Sequence, residues 1–449
     1  MAVSRDSRQI EIDHNLPTVS IAGVNVVPFG LGPHPDYTTG LPLRFAAFPF
    51  PFTGKKREDY RAMIEGQDMV SGKPMMQALV DGLTTPLTER ERQSGPVQQQ
   101  IAAEPRYLPP DTEENLQRLF KDKGWTDFNP VVLPTEERVQ AMLKGTSRKP
   151  DEIIKKGSGT FNTNRPFTVE TVAIIAVMAG AKPEYMPVLL ALASQVPYID
   201  STTSNAMGIL VNGPIRNEIG MNSGIGALGP ENEANSVIGR AMNLFRFIIQ
   251  GYQEGVTGFS SLSNPLRYNN LTMAENEEAL PEGWKPLHVQ MGFKPEDSVL
   301  TLLSGWNFIN SAGNTVEHYP PQNLIRDYMG ILAATGSATV IMDPSVAVQL
   351  HDTQGFATKE AFGEWLSQNV QTKAETYWGS AIAAAVMGPL GKQGLEPYAT
   401  WQKIPQDSLI RQLPNPQNIR TIVTGGNTAS VWFVTDFRAG RGVLIDDWR

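Results

Sequence analysis

GILVNGPIRNEIGMNSGIGALGPENEAN, residues 208–235, decides how this chain reads. Gly208 to Val211 is an apolar run of strand length, and Asn212-Gly213-Pro214 is a turn. Asn232 opens a helix predicted to run to Gln250, with Ile238, Met242, Phe245 and Ile249 at helical spacing. Strand, turn and helix in that order are the unit of an α/β fold. The glycines and asparagines between them are costly as mere scaffold, because glycine gives up backbone entropy and each buried amide needs partners. The segment therefore reads as part of a ligand site.

The same alternation continues outward. Thr168 to Gly180 reads as a buried helix ended by glycine, and Lys182-Pro183 opens another through Ala193. Val299 to Leu303, Ala338 to Met342 and Arg420 to Thr424 have strand length. Helices are predicted at Gln322 to Ala334, Ser345 to Asp352, Lys359 to Val370 and Thr372 to Met387. The expected class is α/β, with largely parallel sheets flanked by helices in one or two lobes of similar plan. No short-period repeat is evident.

Upstream the composition changes. Residues 17–54 carry seven prolines, from Pro17 to Pro51, among Phe29, Tyr37, Phe45, Phe48, Phe50 and Phe52. Proline blocks regular pairing while the aromatics seek burial, which predicts an extended arm packed on another lobe or subunit. Short helices follow at Lys56 to Glu65 and Met75 to Gly82, then a polar linker through Gln93 to Pro110. Two further helices are predicted, Asp111 to Lys123 capped by Asp111 and Thr135 to Lys144 capped by Thr135. The expected organisation is 1–110 arm and short helices, 111–165 helical linker, and 166–449 main α/β region.

Composition removes several function classes. The chain of 449 residues has 38 basic and 46 acidic side chains, a formal charge of -8, so nucleic acid and anionic membrane are disfavoured partners. It has no cysteine, which excludes disulfides, thiolate nucleophiles and cysteine-bound zinc or iron–sulfur centres. The start lacks the apolar core of a secretory signal, and no stretch has the length of a spanning helix, so the cytoplasm is the expected location.

In open α/β sheets, ligands bind beyond the carboxyl ends of the strands. Three turns qualify: Asn212-Gly213-Pro214, Asp343-Pro344-Ser345 and Gly425-Gly426-Asn427-Thr428. Side by side they would make a cleft for a small polar or anionic substrate, bound by Asn212, Asn217, Asn222, Ser223, Asp343 and Asn427. Arg216 can fork onto a carboxylate or phosphate, or pair with Glu218 or Glu231 to fix the loop. GMNSGIGALG lacks the lysine of a phosphate loop and does not directly follow the strand, so it is a poor dinucleotide fingerprint.

Glu275, Glu277 and Glu278, with His288 beyond them, can supply a general base or oxygen ligands for a hard cation, or simply form a solvated face. Glu275, Glu278 and His288 are the candidate catalytic groups. No pair of the five histidines has helical metal spacing, which disfavours a histidine-only zinc site, and the sequence names neither a metal nor a cofactor. No G-x-S-x-G elbow is present, which disfavours a serine hydrolase.

MAGAKPEYMPVLLALA (178–193), VNGPIRNEIGMNSGIGALGP (211–230), AENEE (274–278) with PLHVQMGFKPEDS (286–298), and HDTQGFATKEAFGEWLSQN (351–369) together resemble the C-terminal region of the bacterial UGSC-motif (seleno)protein family. The resemblance covers residues 135–435. It implies thiol or selenol redox chemistry in members that carry the motif. This chain has no such residue, so the resemblance extends to the polar cleft and not to the redox centre. Two functions follow as expectations: an enzyme doing lyase-, hydratase- or hydrolase-type acid/base chemistry on a small polar substrate, or a non-catalytic subunit beside a thiol- or selenol-bearing partner. In the first, Arg216 anchors the substrate and the asparagines stabilise negative charge. A homo-oligomer or a paralogous partner subunit is expected in either case.

Overall fold

The computed structural model describes residues 7, 10–24, 27, 44–50, 55–92, 106–155, 167–196, 204–249, 260, 262–313 and 318–449. The chain forms two compact units. One comprises residues 1–125 with 156–166 and 247–258, and the other holds the remainder. In the first, strands Ser20–Gly23 and Phe45–Phe48 pair in parallel beside helices Arg57–Glu65 and Met75–Thr84. Thus part of the expected extended arm is strand. Its prolines 28, 33, 35, 42 and 51 lie outside the described residues. The helix Glu113–Asp122 is capped by Thr112 rather than Asp111, because the Thr112 hydroxyl accepts from Asn115 N.

The second unit contains the strand-turn-helix segment. Eight strands build two four-stranded sheets: β1 (Ala206–Asn212), β2 (Leu271–Ala274), β3 (Val299–Gly305), β4 (Phe308–Asn310), β5 (Ala338–Met342), β6 (Ile419–Val423), β7 (Trp432–Thr435) and β8 (Arg438–Leu444). The orders are β2-β1-β3-β8 and β6-β5-β7-β4. Only β1 with β2 and β5 with β6 are parallel; the other pairs are antiparallel. Largely parallel sheets therefore do not describe this unit: its two four-stranded sheets are mixed, and two small sheets, Ile153–Lys155 with Phe167–Thr168 and Gln371–Lys373 with Leu409–Arg411, are antiparallel. β2, β4, β7 and β8 escaped the sequence reading. β2 and β4 are very short, and β7 and β8 follow each other almost without a turn signal.

The two sheets are built alike. Val211 faces Ala274 of β2 and Leu300 of β3, while Met342 faces Val423 of β6 and Trp432 of β7. β1 to β4 and β5 to β8 are thus two copies of one plan, each having exchanged its fourth strand with the other. The exchange makes two chain segments cross closely. Asp436 Oδ1 accepts from Trp306 N and Asn307 N, both at 2.8 Å, and Thr339 Oγ1 donates to Phe437 O at 2.8 Å. A Cβ at Gly305 would stand 2.4 Å from the Phe437 ring and 2.9 Å from its Cα, so glycine is required there.

One apolar cluster joins the sheets through Leu210, Met273, Leu303, Ile341, Ile422 and Phe437. On its other face the second sheet packs against helices α6 (Pro321–Met329) and α8 (Lys359–Asn369) through Val340, Met342, Val423 and Trp432. Helices α1 (Val169–Ala179) and α2 (Met186–Gln195) are apolar all round and buried, as their sequences require. α1 starts at Thr168, whose hydroxyl caps Thr171 N, and ends at the left-handed Gly180. The segment expected as one helix from Thr372 to Met387 is instead broken into strand Gln371–Lys373, helix Ala374–Gly379 and a π turn at Ala383–Met387. No helix among the described residues is long and apolar enough to cross a membrane.

The crossing gives two predictions. Gly305→Ala should cost about 1–3 kcal/mol in urea denaturation, the range for overpacking a filled site; an unchanged midpoint would show that the chains can part there. Burial raises the Asp436 carboxyl above its ordinary value, against the two backbone donors. A carboxyl raised in the folded state contributes stability at low pH and loses it as pH climbs through the folded value. Asp436→Asn, which keeps an acceptor for the two N–H groups, should therefore gain on the wild type as pH rises from acid to neutral. Parallel stability curves for the two proteins would refute it.

Candidate functional site

The strand ends of the two copies carry different chemistry. At the end of β1 stand Asn212 and the single turn α3 (Ile215–Glu218) with Arg216; beyond β2 come Glu275, Asn276, Glu277 and Glu278. The long connection from β2 to β3, residues 275–298, includes the short helix α5 (Leu287–Gln290) with His288. Leu287 and His288 are fully buried, and this connection fills the first cleft with side chains.

Glu275 is the centre of that filling. It is fully buried, and its Oε2 accepts from Asn212 Nδ2 and Leu287 N, both at 2.8 Å. Its Oε1 takes the ammonium of Lys359, the first residue of α8, and lies 3.4 Å from Val423 N of β6. Four donors from four segments leave this carboxylate no free role as a base. Glu277 Oε1 accepts from Gly213 N at 2.7 Å and Asn212 Nδ2 at 3.0 Å, and lies 3.3 Å from Arg216 Nε. Arg216 forks onto Glu278 at 2.6 and 2.9 Å, with Asn217 Nδ2 adding a bond at 3.3 Å. Neither Glu218 nor Glu231 is its partner, and its fork is taken. The Arg216 guanidinium holds the Glu278 carboxyl at about 2, which makes it a weak base at neutral pH.

The structure thus brings Asn212, Arg216, Asn217, Glu275, Glu278 and His288 together as an ionic plug, buried at Asn212, Arg216, Glu275 and His288 and exposed at Asn217 and Glu278. His288 stands apart within it. Neither ring nitrogen has a hydrogen-bond partner among the described residues, and Nδ1 is 3.9 Å from Glu277 Oε1. A buried unmet donor costs about 1–3 kcal/mol, so packing alone does not explain a histidine here.

The second copy keeps its cleft open, because its corresponding connection, residues 424–431, is short. A pocket of about 220 Å3 lies at the ends of β5 and β6. Ile225, Leu228, Ile341, Met342, Val431 and Phe433 give it apolar walls, and among the described residues Asp343 is the one ionisable side chain lining it. The left-handed Gly425 (φ 99°) turns the chain so that its N–H reaches Ser223 O at 2.8 Å. Across the pocket, loop 225–229 is held by Asn232 Nδ2, which donates to the carbonyls of Gly226, Ala227 and Gly229. Asn222 braces the same loop through Gly224 N and Ile225 O. The costly amides of this segment shape the loop. The N–H groups of Gly226, Leu228, Gly426 and Thr428 make no hydrogen bond among the described residues.

Asp343 caps helix α7 (Pro344–Val348): Oδ1 accepts from Val346 N at 3.0 Å and Ser345 Oγ at 2.6 Å, and Oδ2 from Val431 N at 2.7 Å. Ser345 Oγ is also 3.1 Å from Ser430 Oγ, which accepts from Gln349 Nε2 at 3.0 Å. A chain of hydroxyls therefore ends on the pocket carboxylate, and its outer serine has a left-handed backbone, φ 52°. Asn427 is exposed between the pocket residues Gly426 and Thr428. Of the three expected turns, those at Asp343 and Gly425-Gly426 share this pocket, and the Asn212 turn belongs to the plug. The two places adjoin through Asn276, which bonds Val423 O at 2.8 Å and Gly425 O at 3.0 Å.

Sequence reasoning missed Lys359 and Ser430, and it marked Ser345 and loop 225–229 only as parts of a candidate turn and of the glycine-rich segment, with no role of their own. Lys359 did carry a signal, since a cation in the first turn of a helix opposes the helix dipole and needs a carboxylate to offset it. Among the described residues no cluster of three or more histidines and carboxylates is arranged to hold a metal ion.

Removing one partner of a buried ion pair strands the other, at a cost of about 3–5 kcal/mol. Lys359→Met should lose that much in urea denaturation, and Glu275→Gln combined with Lys359→Met should recover part of it. Equal losses in the single and double variants would mean that the pair is not coupled. His288→Leu should raise the midpoint by removing the unmet polar atoms.

No protein-family model matches the chain, and no curated protein sequence is significantly similar to it. The resemblance to the UGSC-motif family rests on the sequence motifs alone.

Proposed function

We propose that the chain is an enzyme performing acid/base chemistry on a small polar organic substrate held in the pocket between loop 225–229 and the Gly425-Gly426 turn. One observation carries this reading: Asp343, the single ionisable side chain lining the pocket among the described residues, shares its walls with residues whose backbone N–H groups have no partner among those residues. Asp343 is the proton acceptor, and its orientation is fixed by Val346 N, Val431 N and Ser345. The unpaired N–H groups are donors for negative charge that develops on a substrate oxygen, an arrangement typically worth a few kcal/mol of barrier. The apolar wall excludes water from the body of the substrate. Glu275, Lys359, Arg216, Glu277 and Glu278 serve as the foundation that holds β2 and β6 in place.

Asp343→Asn separates catalysis from folding, since asparagine is as good a helix N-cap as aspartate. In a screen of small amides, esters and hydroxy-carbonyl compounds followed by NMR, the wild type should convert at least one class. Asp343→Asn should lower that turnover by about 10²–10⁴-fold, the range for a positioned general base, while Glu278→Gln retains it. Full activity in Asp343→Asn, or its loss in Glu278→Gln alone, would move the chemistry to the ionic plug.

A further inference from the structure

We infer that the pocket selects an uncharged head group with a donor beside an acceptor, of the carboxamide type, and rejects carboxylates and phosphates; this rests on the pocket being the ligand site. The charge on its walls decides it. Among the described residues, Asp343 is the only charged side chain that lines the pocket, and no arginine, lysine or histidine does. The adjoining plug adds no compensation: its three carboxylates, Glu275, Glu277 and Glu278, face two cations, Arg216 and Lys359, each already paired. An anionic head would meet a carboxylate with no counter-charge, in a half-apolar site where the repulsion is weakly screened.

The polar groups that remain free define the head further. Asp343 Oδ2 accepts one bond, from Val431 N, and has a lone pair left for a ligand N–H or O–H. Gly226, Leu228, Gly426 and Thr428 line the pocket with N–H groups that make no hydrogen bond among the described residues and can donate to a ligand acceptor. A cation would satisfy Asp343 and leave those donors unmet, and a carboxylate would do the reverse. A primary carboxamide satisfies both with one planar group. The apolar walls, Ile341, Met342 and Phe433 among them, take a compact hydrocarbon body, and a pocket of about 220 Å3 keeps that body near the size of a single ring. Arg216, whose fork is closed on Glu278, is no anchor for a substrate anion.

Three probes with one body and different heads test this: benzamide, benzoate and benzylamine, titrated by calorimetry and by NMR into the full-length wild type and into Gly426→Val. A Cβ at Gly426 would come within 2.3 Å of Ile225 Cγ1, so valine there obstructs the pocket mouth. Benzamide should bind at least tenfold more tightly than either of the others, and Gly426→Val should abolish its binding. Benzoate binding as tightly as benzamide, and lost in Gly426→Val, overturns the head-group assignment and leaves the pocket as the ligand site; benzylamine binding most tightly overturns it in favour of a cation. No binding by any probe, or binding that survives Gly426→Val, overturns the pocket reading itself.

Discussion

A carboxylate with no access to water must find donors inside the protein, and Glu275 meets that demand by drawing on four parts of the chain. Asn212 comes from the end of β1, Leu287 N from α5, Lys359 from the start of α8 and Val423 N from β6. β1 and β2 belong to one sheet, β6 to the other, and α8 lies over the second. The constraint is therefore shared by both copies of the fold: shifting any of the four contributors leaves a charge unpaired in a low dielectric. Thr424 answers from the other side, its hydroxyl donating to Ala274 O at 2.8 Å. Glu275 and Thr424 occupy corresponding positions after β2 and β6, so each copy reaches across to the other's strand end.

The exchanged fourth strands give this junction its rigidity. β4 completes the sheet of the second copy and β8 that of the first, so neither sheet has its full complement without the other. At the crossing, Gly305 lets two backbones approach and Asp436 gathers the amides of Trp306 and Asn307. The strand ends are thus held from two directions, by the crossing at one place and by the ionic plug at another. A pocket built on strand ends fixed in this way favours pre-organised binding.

Divergence between the copies decides which cleft is open. The two begin with the same frame, an amide ending the first strand (Asn212) or a carboxylate just beyond it (Asp343), and a polar residue just beyond the second (Glu275, Thr424). In the first copy the connection to the third strand is long enough to fold α5 back into the cleft. In the second it is a glycine-rich turn too short to fill anything. The carboxylates, Arg216 and Asn212 were drawn into the filled cleft, where they pair with one another and with Lys359, while His288 is buried there without a partner among the described residues. The open cleft kept a single carboxylate and backbone donors, which are quieter in sequence and better placed to meet a ligand.

What the sequence determined by itself was local. The buried helices Val169–Ala179 and Met186–Gln195, the cap at Thr135, the glycine stop at Gly180, the strand Ala338–Met342 and the turn that follows it were all legible, because periodicity, capping and turn chemistry act within a few residues. The sequence also marked residues 208–235 and 269–289 as chemically unusual, and both segments border the sites. Tertiary structure alone decided that Glu275 pairs with Lys359, 84 positions away, that Arg216 closes on Glu278 rather than waiting for a substrate, and that Thr424 meets Ala274 across 150 positions. It also decided that the sheets are mixed and exchange strands. The physical reason is that charge pairing and strand partnership are settled by which groups become neighbours once the chain has closed on itself, and no local pattern of residues encodes that distance.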